Sequence, residues 1–207
     1  GRKWVTPVRD QGHMGSCWAF GTTGALESNI LRYYGLNMDL SENNMQDVAL
    51  QYYMYGTNGY NEGSTPFIGG AYILSWLGGL PGFYDTYDEL GKISPIYATK
   101  DNLHIQDMVF IDPIVNSSDS ELNRLKEAII EYGGFAVAYN AFQYEPYLNK
   151  NTSAQYGDDP ALCNADHIVT LIGWDDHYSK DNFLIKPEKD GAWIIKNSWG
   201  KEAGIDG

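Results

Sequence analysis

Three side chains that lie far apart in this sequence could together cleave an amide bond through a thiol. Cys17 precedes a run of helical periodicity, and His167 precedes a strand-like run. Asn197 stands two residues before Trp199. A thiolate can attack a carbonyl carbon, and an imidazole beside it can hold the thiol proton and return it to the leaving group. A cysteine, a histidine and an asparagine placed on different elements therefore predict a thiol hydrolase.

The elements that would position these residues can be read from periodicity and end signals. Apolar residues recur at helical spacing after Cys17 and Gly35 supplies a stop, which predicts a helix over 17–34. Ser41, with Asn44 three residues later, predicts a second, capped helix. The other predicted elements are a short helix over 71–77, a helix that follows the capping box 118–121 and ends at the glycines 133–134, and strands over 135–139, 168–174 and 192–196.

Helices in the first half and strands in the second predict an α+β fold. Two polar stretches, 84–116 and 175–191, carry no regular period and are interpreted as surface loops. At 207 residues the chain is long enough for one compact unit of one or two lobes.

Composition excludes several classes of partner. The formal charge of −13 argues against nucleic acid and against an anionic membrane surface. The longest apolar stretch, 71–83, is interrupted by glycine and proline and is too short to span a bilayer, so no membrane insertion is expected. Two cysteines do not make a disulfide framework. No signal peptide is visible, and we expect the chain to be a fragment of a longer precursor.

The strings around these residues resemble the papain-like cysteine peptidases, nearly end to end. Gly15-Ser16-Cys17-Trp18 matches most of the family signature around its nucleophile, with His and Asn far downstream. The resemblance implies that Cys17 is the nucleophile, that His167 protonates the leaving amine, and that Asn197 orients the imidazole. It also implies that Gln11 donates to the oxyanion. The implied architecture is a papain-like two-lobed fold, with a helical lobe over about 12–115 and a sheet lobe over about 116–207 plus the N-terminal segment. The active site would lie in the cleft between the two lobes.

The same resemblance implies a set of substrate-binding residues. Gly69 and Gly70 match a glycine pair whose backbone pairs with extended substrate, because a side chain there would block close approach. A turn before the third helix is the alternative interpretation of that pair. Ala165 and Asp166 would line the specificity side of the cleft, and Trp199 would shield the bond between His167 and Asn197.

The sequence departs from the family pattern at three positions. Met14 stands where many members have a bridging cysteine, Ala203 replaces a second tryptophan, and Cys163 has no expected partner. We expect Cys163 to be a free or structural thiol. Strings within 104–107 and 172–183 resemble the surface peptidases of anaerobic bacteria and archaea that carry a lectin-like domain. That subset would account for the missing disulfides and the long loops.

These observations predict a secreted or cell-surface cysteine endopeptidase that acts on peptide or protein substrates as a monomer, with an inhibitory propeptide upstream. A cell-wall peptide amidase or isopeptidase with the same triad, and a non-catalytic surface adhesion module, remain alternatives. No cofactor is expected. Asp175, Asp176 and Asp181 match no calcium loop, and His13, His104 and His177 form no metal-spaced cluster, so no metal is expected either.

Overall fold

Helices come first along the chain and most strands follow, as the sequence predicts. The computed structural model describes residues 4–52, 61–92, 99–141, 144–158 and 164–207, so Cys163 and the expectation attached to it lie outside the described residues. The helices are α1 (Cys17–Tyr34), α2 (Glu42–Asp47), α3 (Pro66–Leu74) and α4 (Asp119–Tyr132), with a π-helical turn at Val48–Tyr52. The strands are β1 (Phe135–Tyr139), β2 (Leu148–Asn149), β3 (Ala154–Gln155), β4 (His167–Asp175) and β5 (Ala192–Lys196).

Local signals fix most of the helix ends. The Ser41 hydroxyl accepts a hydrogen bond from the backbone N–H of Asn44 and caps α2. Both halves of the predicted capping box are formed at the start of α4, between Ser118 and Glu121. The third helix begins five residues earlier than predicted because Pro66, with its fixed φ and no N–H to satisfy, opens it.

The three main strands form one antiparallel sheet in the order β1-β4-β5. The register places Tyr139 opposite His167, so both side chains lie on one face of the sheet. The small hairpin of β2 and β3 is a feature that the sequence did not predict, since two-residue strands show no period. Between 175 and 191 the chain forms only a 3₁₀ turn at Lys180–Asn182, and no helix or strand lies within the described part of 84–116.

Helix α1 lies between the helical elements and the sheet. Trp18 is fully buried and packs with Met45, Tyr72 and Ile168, which come from α2, α3 and β4. On the sheet side, a Cβ added at Gly21 would lie 2.7 Å from Ile168 Cγ2, and one at Gly24 would overlap Thr170 Oγ1. Glycines three residues apart share one face of the helix, so α1 can lie directly on β4. This close packing brings the start of α1 to the start of β4.

Candidate active site

His167 and Asn197 form a hydrogen bond whose direction the local structure defines. The distance from His167 Nε2 to Asn197 Oδ1 is 2.8 Å. The backbone N–H of Ser198 also donates to Asn197 Oδ1, at 2.8 Å. A backbone N–H can only donate, so this oxygen is an acceptor in both contacts and Nε2 must carry the proton. In the neutral imidazole, the other nitrogen, Nδ1, is then free to accept a proton.

The His167 side chain is only 7% exposed, and its surroundings act on its pKa in opposite directions. Burial lowers the pKa of His167, because the imidazolium loses hydration, while the Asn197 hydrogen bond and the charge of Asp166 raise it. The indole of Trp199 stacks on the imidazole, with ring centroids 4.6 Å apart. The residue is therefore fixed in position, and its charged form depends on its immediate partners.

Cys17 is the first residue of α1, as the sequence predicts, and it packs against the core cluster that contains Ile168. Burial raises the pKa of its thiol above the ordinary 9.0. Hydrogen bonds from the backbone N–H groups of Ile168, Trp18 and Cys17 itself act in the opposite direction. A lone thiolate is thus disfavoured here, and so is a lone imidazolium at His167. A thiolate–imidazolium pair would relieve both costs.

Gln11 is held on both ends of its side-chain amide. Its Nε2 donates to the Met14 carbonyl at 2.8 Å, and its Oε1 accepts from the Ser198 hydroxyl at 2.6 Å. An amide nitrogen has two hydrogens, so one N–H remains for another acceptor. The backbone N–H of Gln11 donates to the Ser198 carbonyl, and Asp10 pairs with Trp199 in an isolated bridge. These contacts tie Gln11 to the segment that carries Asn197.

A buried charge cluster joins the elements behind these residues. Glu27 of α1 is 1% exposed and accepts a hydrogen bond from the Thr6 hydroxyl at 2.6 Å. Lys196, the residue before Asn197, donates to the same hydroxyl at 2.8 Å and lies 4.0 Å from Glu27 Oε2. Arg9 lies 3.6 Å from Glu27 Oε1. The end of β5, α1 and the N-terminal segment are thereby held together.

The sequence and the fold of the whole chain are similar to those of known proteins. The profile of the papain family cysteine proteases matches residues 1–207. The chain belongs to this family. The predicted α+β papain-like fold is confirmed, since clostridial and insect members of known structure superimpose on nearly the whole chain.

Individual relatives share between 28% and 30% of their residues with this chain. A cathepsin L-like peptidase of Aedes aegypti is 30% identical over 210 residues, which cover 98% of this chain and 54% of the relative. The structure of the clostridial cysteine protease Cwp84 after propeptide cleavage has a TM-score of 0.82 and 28% identity, covering 99% of this chain and 50% of that chain. A second structure contains the cysteine protease and lectin-like domains of Cwp84, a surface layer associated protein of Clostridium difficile. It has a TM-score of 0.79 and 29% identity, covering 96% of this chain and 43% of that chain. The chain spans about half the length of the relatives that it matches.

The predicted role of Gly69 and Gly70 is wrong. Both residues lie inside α3 and are buried, so their backbone groups are committed to the helix and cannot pair with an extended peptide. A Cβ at Gly69 would lie 3.0 Å from the Cβ and Cγ2 atoms of Thr22 in α1. The glycine is therefore required for helix packing. The signal that could have corrected the prediction is Pro66, which marks a helix start before the pair.

The segment 62–65, which precedes α3, lies beside the loop that leads to Cys17. It forms no helix or strand. The preceding residue, Asn61, accepts a hydrogen bond from the backbone N–H of Gly15 at 3.1 Å through its side chain. A Cβ at Gly15 would lie 3.0 Å from the Gly63 nitrogen, so this segment runs directly beside the approach to Cys17. An added Cβ at Gly63 itself would meet nothing within 4 Å.

Ala165 and Asp166 are both exposed and directly precede β4, at the same edge as His167. Asp166 Oδ1 accepts a hydrogen bond from the backbone N–H of Ala141 at 2.8 Å. Sequence reasoning missed Tyr139, which lies opposite His167 with ring centroids 5.9 Å apart. Burial raises the pKa of Tyr139 to about 12, with smaller contributions from Asp166 and Cys17. The long-range pairing of β1 with β4 that places Tyr139 here has no local sequence signal.

Other predicted features concern metals, packing and membranes. Asp176 and Asp181 form ion pairs with Lys126 and Lys186, each at 2.6 Å. Among the described residues, no group of His, Cys, Asp and Glu side chains is arranged to hold a metal ion. Within the same residues, no helix is both long and apolar enough to cross a membrane.

Ala203 lies in the turn after Trp199, where its N–H donates to the Gly200 carbonyl.

Proposed function

We propose that this chain is the catalytic domain of a cysteine endopeptidase in which Cys17, His167 and Asn197 form the triad. The observation that carries the proposal is the hydrogen bond from His167 Nε2 to Asn197 Oδ1, which leaves Nδ1 as the proton acceptor for a thiol at the start of α1. Membership of the papain family supports the same reaction. A shared fold does not by itself establish an activity, and the proposal therefore rests on this arrangement of side chains.

The reaction would proceed by acyl transfer. Cys17 transfers its proton to His167, and the thiolate attacks the scissile carbonyl carbon, so that a C–S bond forms and the π electrons move to oxygen. The free N–H of Gln11 Nε2 and the backbone N–H of Cys17 donate to that oxyanion. On collapse, the C–N bond breaks and His167 gives its proton to the leaving amine. His167 then takes a proton from water as the water oxygen attacks the thioester carbon. On collapse the C–S bond breaks, the acid leaves, and the proton on His167 returns to the Cys17 sulfur.

The substrate would be an extended peptide that lies across the two sides of the site. One side would be the segment 62–65, which runs beside Gly15 and would pair with substrate as an added strand. The other side carries Ala165 and Asp166 at the start of β4, together with Tyr139. We further propose that the whole protein is secreted or displayed at a cell surface and acts as a monomer. An inhibitory propeptide would precede this domain, in line with the propeptide named for Cwp84.

The proposal is tested by the rate at which iodoacetamide alkylates Cys17 as a function of pH. Fast labelling that persists below about pH 5, and that is absent from the Cys17→Ala variant, would support a thiolate held by an imidazolium. In the His167→Ala variant the thiol loses its partner, so labelling should rise only in the alkaline range where an unpaired thiol ionises. A wild-type chain that behaves like this variant would refute the proposal.

A panel of substrates would then separate the peptidase from its alternatives. The same triad could cleave both unblocked extended peptides and cross-linked cell-wall peptides. The ratio of the kcat/KM values for these two substrate classes therefore decides between an endopeptidase and an amidase. Cleavage of neither class, together with slow labelling, would favour a binding module.

A further inference from the structure

The segment 85–89 belongs to a stretch that the sequence predicts to be a surface loop, yet its residues contact the backbone that leads to Cys17. The Tyr87 hydroxyl donates to the Gln11 carbonyl at 2.7 Å. It also lies 2.7 Å from the Ser16 hydroxyl. Two residues later, Glu89 Oε2 accepts from the backbone N–H of His13 at 3.3 Å. The loop 11–16 is thus held at its two ends and in its middle by one segment.

The hydrogen count at Tyr87 fixes the direction of each bond. A phenol has one hydrogen, and the Gln11 carbonyl can only accept, so that hydrogen goes to Gln11. The Ser16 hydroxyl must then donate to the phenol oxygen. Burial raises the pKa of Tyr87 above its ordinary 10.0, so the phenol keeps its hydrogen at neutral pH. The ring is fixed by an edge-to-face contact with Phe20, at a centroid distance of 4.9 Å.

The bond to Ser16 affects the first turn of α1. Ser16 is the N-cap residue, and such a serine usually accepts a hydrogen bond from a backbone N–H in the first turn. Here the Ser16 side chain makes no such bond. Its hydroxyl bonds to Tyr87 instead, at 2.7 Å, and the backbone N–H groups of Cys17 and Trp18 face the thiol. The Cys17 N–H is the group that would donate to an oxyanion.

The segment itself is anchored away from the site. The Ser41 hydroxyl donates to the Asp85 carbonyl at 2.6 Å, and Asn43 Nδ2 donates to Asp85 Oδ1 at 3.0 Å. Asp85 is 6% exposed and Ser41 caps α2, so Tyr87 extends from a fixed point of the helical elements. This anchoring permits the phenol to hold the loop in place.

We propose that Tyr87 is a positioning residue for oxyanion binding: it holds Gln11 and the first turn of α1 so that their N–H groups converge on the oxyanion. This inference rests on the proposed peptidase function. The proposed thiolate–imidazolium pair depends on the bond between His167 and Asn197, whereas the hydroxyl of Tyr87 bonds to Gln11 and Ser16. Loss of the Tyr87 hydroxyl should therefore weaken the steps that develop an oxyanion and spare those that do not.

The test compares Tyr87→Phe with Tyr84→Phe. Tyr84 lies three residues earlier and donates to Asp101 Oδ2 at 2.6 Å, so its variant removes a hydroxyl of the same stretch without touching the loop 11–16. Three quantities are measured for each: kcat/KM for a peptide amide, the affinity for a peptide aldehyde, and the rate of Cys17 alkylation by iodoacetamide. The aldehyde forms a hemithioacetal whose oxygen occupies the oxyanion site, whereas displacement of iodide develops no oxyanion.

For Tyr87→Phe we expect kcat/KM and aldehyde affinity to fall together by about tenfold or more, with kcat affected more than KM. The alkylation rate should stay within about twofold of wild type, and Tyr84→Phe should match wild type in all three measurements. Unchanged kcat/KM in Tyr87→Phe, an equal fall in alkylation, or the same losses in Tyr84→Phe would each overturn the inference.

If Tyr87→Phe does not fold, Ser16→Ala removes the other hydroxyl of the pair and should give the same pattern at reduced size. An active wild-type enzyme with an unaffected variant refutes the role of Tyr87 alone. A wild-type chain without hydrolytic activity refutes the proposed function and this inference together.

Discussion

Glu42 gives a prediction whose size follows from the structure. It is 4% exposed at the start of α2, and its Oε1 accepts a hydrogen bond from the Thr23 hydroxyl at 2.9 Å. Burial, aided by the charge of Glu27 and only partly offset by Arg9, raises the pKa of Glu42 from an ordinary 4.5 to about 7. Between these values the unfolded chain releases the proton and the folded chain keeps it. The free energy of unfolding should therefore fall as the pH rises through this window.

The window of about 2.5 pH units corresponds to a loss of about 3 kcal/mol. Glu42→Gln keeps the shape and an acceptor oxygen for Thr23 but cannot ionise. We expect the variant to match wild type near pH 4.5 and to be more stable by up to about 3 kcal/mol at pH 8.

Urea unfolding followed by tryptophan fluorescence between pH 4.5 and 8 measures this difference, in a Cys17→Ala background that prevents self-digestion. Glu127→Gln, at an exposed position on α4, is the matched control and should stay within about 0.5 kcal/mol of wild type throughout. A stability difference between Glu42→Gln and wild type that does not change with pH would refute the reasoning. So would a variant that is less stable than wild type at pH 8.

Three further predictions concern Gly69, Gly63 and the proposed triad. Gly69→Ala should destabilise the fold by about 1–3 kcal/mol, because its Cβ would press on Thr22, as urea unfolding would measure. Gly63→Ala should leave stability unchanged but raise KM for a peptide substrate. If Gly69→Ala raised KM without loss of stability and Gly63→Ala did not raise KM, the glycine pair in α3 would be the binding element. Asn197→Ala removes a hydrogen bond that raises the pKa of His167, so the alkaline limb of kcat/KM against pH should move to lower pH. An unmoved limb would contradict this assignment of Asn197.

The sequence by itself determined the elements whose ends depend on neighbouring residues. The capping box at Ser118, the cap at Ser41 and the stop at Gly35 act within one helical turn, and all three lie at helix ends in the structure. Alternation and β-branched residues likewise located the three main strands to within one residue at each end. Because Cys17 opens α1 and His167 opens β4, the sequence also placed both side chains at element ends, where a site can form.

The tertiary structure decided what depends on contacts between distant residues. Gly69 and Gly70 resemble a binding pair in sequence, but both lie within α3, where Gly69 packs against Thr22 and Gly70 against Met108. Tyr87 contacts Gln11 across 76 residues, and Tyr139 reaches His167 through strand pairing. Periodicity reports only which face of an element is apolar, whereas these contacts depend on how closely the elements approach. In this protein the distance between α1 and β4 is set by glycines, such as Gly21 and Gly24 on α1, which contribute nothing to the hydrophobic period of the sequence.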